Sequence, residues 1–142
     1  MNLLFIILSI FLQHSGITIE NPWIRNSSTG TNTAFFFTVN NAGKEADTLY
    51  AAYGDFAEVT EVHETYKKGE DMMGMREVPI VVIPPGSKVV FKPRDLHVML
   101  IKLTSDVEKG MEKEVILKFR KAGEIKIKAP VKGMEAMIMQ HK

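Results

Sequence analysis

Cysteine is absent from the 142 residues. That absence excludes disulfides, a thiol nucleophile, iron–sulfur clusters and any thiolate-bound metal. It also excludes a blue-copper electron-transfer centre, which needs a cysteine ligand. Charge of one sign is missing too. Lys and Arg number 18 against 17 Asp and Glu, a balance that gives no electrostatic case for a nucleic-acid partner. A long hydrophobic run is lacking as well. The apolar stretch "LLFIILSIFL", residues 3–12, is only ten residues long with Ser9 inside it, whereas a membrane span needs roughly 20.

What that short run does fit is the apolar core of a secretory signal. No Lys or Arg precedes it, and the cut would fall near Ser15 or Gly16. Residues 1–16 are therefore read as a signal peptide, either cleaved or kept as an anchor. Residues 17–142 are read as one exported domain, periplasmic or otherwise extracytoplasmic, with no membrane span in the mature chain. A domain of this length buries a core without staples.

After residue 16 the chain has no sustained helical period, no internal repeat and no low-complexity linker. Short β-branched and aromatic segments alternate with turn sequences such as "NSSTGTN", "NNAGKEA", "PPGS", "PRD" and "KAGE". The pattern predicts strands at 18–24, 33–40, 47–53, 58–64, 73–78, 80–83, 88–92, 97–103, 114–120 and 124–129. Many short strands at regular spacing imply an all-β, antiparallel sandwich or barrel. "TAFFFTV" is apolar on both faces and reads as a central strand; "EIKIKA" alternates and keeps one side wet. Trp23 and Phe35 to Phe37 read as core residues.

Methionine is plentiful and clustered: eight follow the initiator, at 72, 73, 75, 99, 111, 134, 137 and 139. Residues 61–78, "EVHETYKKGEDMMGMREV", read as a hairpin whose loop, 67–71, centres on Gly69. Symmetric pairing about Gly69 sets His63 directly opposite Met75. A shift of one residue instead pairs Glu61 with Arg76 and puts Met75 opposite Val62. In "DLHVMLIKL", His97 and Met99 stand two apart and share a face. Two imidazoles and two thioethers make a soft donor set that suits Cu(I). Calcium and magnesium want oxygen ligands, and zinc takes Cys, His and carboxylates. Each methionine is nonetheless as readily a gap-filler, so the residues alone leave a metal site and a metal-free β-sandwich interaction module both open. No Ser/His/acid set is evident, and Glu58, Glu61 and Glu64 read as the wet side of a strand, so an enzyme is not expected.

The spacing His63, eleven residues, Met75, twenty-one residues, His97-x-Met99 resembles the H(M)x10Mx21HxM signature of the periplasmic copper chaperones of the PCuAC family. "NPWIR", "FFFTVNNAGKEADTL", "MGMREV" and "VIPPGSKVVFKPRDLHVMLIKL" resemble the same family in order and spacing. The resemblance implies a single cupredoxin-like β-sandwich binding Cu(I) near its surface through His63, Met75, His97 and Met99. It implies delivery of that copper to an accepting protein, such as the CuA-bearing subunit of cytochrome c oxidase or an assembly factor; copper storage or tolerance is the alternative role. Two departures stand out. The optional methionine after the first histidine is replaced by Glu64, and "PRDL" precedes HxM where relatives often have a Gly-rich turn. Arg76, beside Met75, is a candidate supporting group. The tail "KGMEAMIMQHK" adds Met134, Met137, Met139 and His141. These are a candidate second copper site, against the simpler reading of a solvated terminus.

Overall fold

A computed structural model describes residues 16–133 and 135–136. Residues 1–15, all but the last residue of the expected signal peptide at 1–16, and the tail candidates Met134, Met137, Met139 and His141 lie outside the described residues. Ten strands make up the fold: β1 (Ile17–Arg25), β2 (Thr33–Asn41), β3 (Asp47–Tyr53), β4 (Ala57–Lys67), β5 (Met73–Glu77), β6 (Val81–Ile83), β7 (Lys88–Phe91), β8 (Leu96–Leu103), β9 (Glu112–Phe119) and β10 (Gly123–Lys132). They match the ten predicted strands in number and order, and the all-β sandwich is the observed class.

Hydrogen bonding runs in the order β5-β4-β8-β2-β1-β10-β9-β3-β6, with β7 pairing β2 beyond the end of β8. Every pairing is antiparallel except one. β1 and β10 run parallel over Ile24↔Val131 and Arg25↔Lys132, and this short seam joins two layers. One layer holds β5, β4, β8, β2, β7 and β1; the other holds β10, β9, β3 and β6. A single apolar core fills the space between them. Phe35, Phe37, Val98 and Leu100 from the larger layer belong to the same cluster as Leu49, Ile83, Val115, Leu117 and Phe119 from the smaller.

β2 is central as predicted, bonded to β1 on one edge and to β8 and β7 on the other. It is buried on both faces for two reasons. Phe35, Phe37 and Val39 enter the main core. Ala34 and Phe36 point the other way and form a second small cluster with Trp23. The Trp23 and Phe36 rings are 4.7 Å apart between centroids. The larger layer therefore carries an apolar patch on its outer face, and that patch is the floor on which the candidate site is built. Among the described residues no helix is long and apolar enough to cross a membrane.

Candidate metal centre

The core decides which way the candidate donors point. In β8, Val98 and Leu100 are fully buried between the layers, and alternation along a strand sends His97 and Met99 to the outer face. In β4, Val62 is the core residue, so Glu61, His63 and Thr65 share that same outer face. The β4–β8 ladder pairs His63 with His97 and Glu61 with Met99. The two histidines are thus direct neighbours across strands, their ring centroids 6.0 Å apart. Phe36 lies on the other side of His97, at 6.5 Å between centroids.

The hairpin register differs from both alternatives read from the sequence. Thr65 faces Met75, and His63 faces Glu77. The loop centres on Glu70 rather than Gly69, closed by the Lys68 amide donating to the Met72 carbonyl at 2.8 Å. Side-chain chemistry explains the choice. This pairing sets Arg76 opposite Glu64, with Arg76 Nε donating to Glu64 Oε1 at 2.6 Å. It also sets Gly74 opposite Tyr66, where any Cβ would come within 2.9 Å of the ring, and the Arg76 guanidinium sits 4.6 Å from that ring's centroid. Symmetry about a glycine carries none of this information. Because the register moved by an even number of positions, Met75 keeps the face of His63 but stands diagonal to it, one rung along. Arg76 is consequently on the face opposite Met75, engaged with Glu64 and Tyr66, and does not support the site.

Met75, His97 and Met99 line one cleft of about 480 Å³, together with Ala34, Phe36, Arg25 and Thr65. His63 stands against His97 but does not line that cleft. Exposure is graded across the set: His97 is 4% exposed and Met75, on the terminal strand of the sheet, is 58% exposed. The cleft also takes in Met73, Pro93 and Arg94. Met73 is a third thioether on the same face of β5 as Met75, opposite Lys67. The sequence reading did not single it out, although the two-residue spacing from Met75 is the signal that finds it.

The loop before β8 orients His97. Lys92 through Asp95 form a turn in which the Asp95 amide donates to the Lys92 carbonyl at 3.1 Å. Pro93 precedes Arg94, which has φ 67°, the left-handed position that a glycine fills in comparable turns. The turn presents the Asp95 carbonyl 2.9 Å from His97 Nδ1. Burial is the main cause that holds the His97 pKa below its ordinary value of 6.5. The bond to Asp95 opposes that shift, and the neighbouring His63 and Arg25 reinforce it. His97 is thus held neutral at neutral pH, the form that ligates metals. On His63, Nε2 lies 2.8 Å from Glu61 Oε2, while Nδ1 is buried with no hydrogen-bond partner. Glu61 is therefore on the histidine face rather than on a purely wet side of β4.

Chemically, the face offers imidazole nitrogens and thioether sulfurs, a soft and uncharged donor set. Among the described residues no group of three or more His, Asp and Glu side chains is arranged to hold a metal. Any metal held here would depend on the sulfurs.

Comparison with known proteins identifies the family and the fold. A curated protein of Leifsonia xyli subsp. xyli (strain CTCB07), named as the lipoprotein Lxx21020, is 29% identical over 126 residues, 84% of this chain and 72% of its own length. The copper-bound PCuAC domain from PmoF2 is 26% identical with a TM-score of 0.68, covering 83% of this chain and 93% of that one. The apo PCuAC domain from PmoF1 is 27% identical with a TM-score of 0.69, covering 83% and 94%. The CuI form of DR1885 from Deinococcus radiodurans is 21% identical with a TM-score of 0.63, covering 84% and 81%, and shares the fold. The family model described as LpqE-like matches residues 17–131, nearly the whole of the sandwich, and the chain belongs to the LpqE-like family, with the fold of PCuAC domains.

Proposed function

We propose that this protein binds one Cu(I) through His63, Met75, His97 and Met99 and passes it to an acceptor protein outside the cytoplasm. The observation that carries the reading is the shared face: the core side of β4 and β8 is taken by Val62, Val98 and Leu100, so His63, His97 and Met99 are turned outward together, and Met75 of β5 joins that face through its pairing with Thr65. Thioether sulfur favours a soft monovalent ion, and a neutral donor set needs no thiolate to be deprotonated. The copper-bound state of the PmoF2 domain supports the same cargo for this chain. The lipoprotein description of the Leifsonia relative supports export to the cell envelope, by way of the leader at 1–16.

Copper remains Cu(I) throughout, and the protein acts as a carrier rather than a catalyst. Transfer is ligand exchange. Met75 stands at the exposed end of the set, so it releases first while an incoming donor enters from the cleft mouth. His97, buried against Phe36, releases last. The acceptor we favour is a cytochrome oxidase subunit carrying the CuA centre, or one of its assembly factors. Storage or copper tolerance would use the same site without rapid release. The tail methionines Met134, Met137 and Met139 with His141 are proposed as no more than an auxiliary copper site.

The test is Cu(I) titration against a chromophoric competitor, with wild type beside His97→Ala and Met99→Ala. One equivalent bound by wild type, and strong loss in both variants, is expected. Wild-type binding that neither substitution weakens would move the site elsewhere. Mixing copper-loaded protein with an apo acceptor then separates delivery from storage. A version ending at Lys132 that binds the same number of coppers as the full chain would remove the tail site.

A further inference from the structure

We infer that Glu61 is a positioning residue that selects which nitrogen of His63 meets the metal, so that the two histidines bind through different ring atoms: Nδ1 of His63 and Nε2 of His97. The inference rests on the copper-binding reading and adds the atomic assignment to it.

The argument begins with what each partner is able to do. A carboxylate only accepts hydrogen bonds. Glu61 Oε2 lies 2.8 Å from His63 Nε2, so that nitrogen carries the hydrogen. In a neutral imidazole the lone pair then belongs to Nδ1. That atom is buried and has no partner. Buried polar atoms in native proteins are nearly always paired, so an unpartnered one needs an explanation; Trp23 Nε1 shares that state, but only the imidazole nitrogen carries a lone pair that a metal takes. The ring therefore carries a bare nitrogen in a dry place, with its centroid 6.0 Å from that of His97. For His97 the roles reverse. A backbone carbonyl also only accepts, and the Asp95 oxygen lies 2.9 Å from His97 Nδ1. Nδ1 carries the hydrogen and Nε2 is the free donor.

Backbone placement explains why the pair presents opposite nitrogens. His63 and His97 stand directly across the β4–β8 ladder, and each is restrained from a different side: His63 by a side chain two residues back on its own strand, His97 by a turn carbonyl two residues before it. Glu61 is itself opposite Met99. Its carboxylate thus sits beside the donor set without joining it, a negative charge next to where Cu(I) adds a positive one. An outer carboxylate of this kind fixes the tautomer and raises the basicity of the ligand nitrogen, and its loss typically weakens metal binding 10- to 100-fold.

The experiment uses full-length protein with 15N-labelled histidine and two-bond 1H–15N correlation at neutral pH, apo and after adding one equivalent of Cu(I). The expected apo spectrum shows His63 with its hydrogen on Nε2. Copper is expected to shift His63 Nδ1 and His97 Nε2 and to leave the other two nitrogens protonated. Glu61→Leu should mix the His63 tautomers and weaken Cu(I) binding about 10- to 100-fold. Glu61→Gln keeps a carbonyl acceptor and should restore the tautomer and most of the affinity, which a loss of folding in Glu61→Leu would not predict. Apo His63 with its hydrogen on Nδ1, or copper bound through His63 Nε2, would overturn the assignment and leave copper binding intact. Wild type that takes up no Cu(I) would instead sink the binding reading, and the apo tautomer would still decide the role of Glu61.

Discussion

Glu64 and Arg76 meet across the β4–β5 hairpin, Nε to Oε1 at 2.6 Å, and this contact sets the rung on which Met75 stands. The pair is on the opposite face from the candidate donors. It acts on the site through register alone, because each step of slippage would move the sulfur along the sheet or turn it over. Arg76 is 61% exposed in its side chain, so the pair itself adds little stability.

The sulfur of Met75 is separable from its packing. Met75→Leu is close to volume-conserving, and the side chain is largely exposed. Stability should change by less than about 1 kcal/mol, while Cu(I) affinity falls at least about tenfold, equivalent to about 1.4 kcal/mol. Competition titration and urea unfolding on the same samples check both halves. Unchanged affinity would remove Met75 from the ligand set.

Met73 offers a graded comparison. It lies on the same face as Met75 but opposite Lys67, one rung farther from the histidines. Met73→Leu should therefore weaken Cu(I) binding clearly less than Met75→Leu does. The reverse order in the same titration would reassign the hairpin sulfur.

The two faces of β8 predict opposite outcomes. Leu100 is fully buried between the layers, and Leu100→Ala should destabilise the apo protein by about 2–5 kcal/mol. Because its side chain leaves the strand on the side away from Met99, Cu(I) affinity of the folded variant should stay within a few-fold of wild type. A large loss of both would mean that core and site are not separable.

Protons compete with folding at His97. Its folded pKa lies below the ordinary 6.5, chiefly through burial, so between the two values the unfolded chain binds more protons than the native one. The contribution to stability is complete above about 6.5 and is lost as pH falls through the folded value. Urea unfolding from pH 8 down to 5 should show this decline in wild type and a flatter one in His97→Leu. Equal slopes would place the titrating group elsewhere. The same depression lets His97 remain a metal ligand into mildly acid conditions.

Arg94 holds a left-handed conformation, φ 67°, which costs an L-residue about 1–2 kcal/mol. Glycine removes that strain but loses more freedom on folding, by about 0.5–1 kcal/mol. Arg94→Gly should thus raise stability modestly, by about 0.5–1 kcal/mol on balance, and thermal unfolding would detect it. Lower stability would show that the Arg94 side chain contributes more than its backbone costs.

Much of this was legible in the chain. Alternation in "LHVMLIKL" assigns His97 and Met99 to one face, and the turn sequences mark all ten strands, because side-chain period and turn chemistry are local properties. The register of β4 against β5 was not legible from symmetry about Gly69. It is fixed by Glu64 with Arg76 and by Tyr66 over Gly74, contacts between residues eight to twelve positions apart that two plausible registers could each have claimed. Glu61 looked like part of a solvated side, since its partner two residues along becomes apparent only once the strand's facing is known. The parallel seam of β1 and β10 joins the two ends of the chain, and no local pattern announces it.

The exposed position of Met75 on the edge strand β5 has a chemical cost. A thioether open to solvent is also open to peroxide, and one added oxygen turns a soft, apolar sulfur into a polar sulfoxide. Met99, partly buried on β8, is less open to it. On the copper-binding reading, the exposure that would let a donor reach Met75 admits oxidants by the same route, so under oxidative stress the site would lose this sulfur before that of Met99 and regain it only where a sulfoxide reductase reaches it.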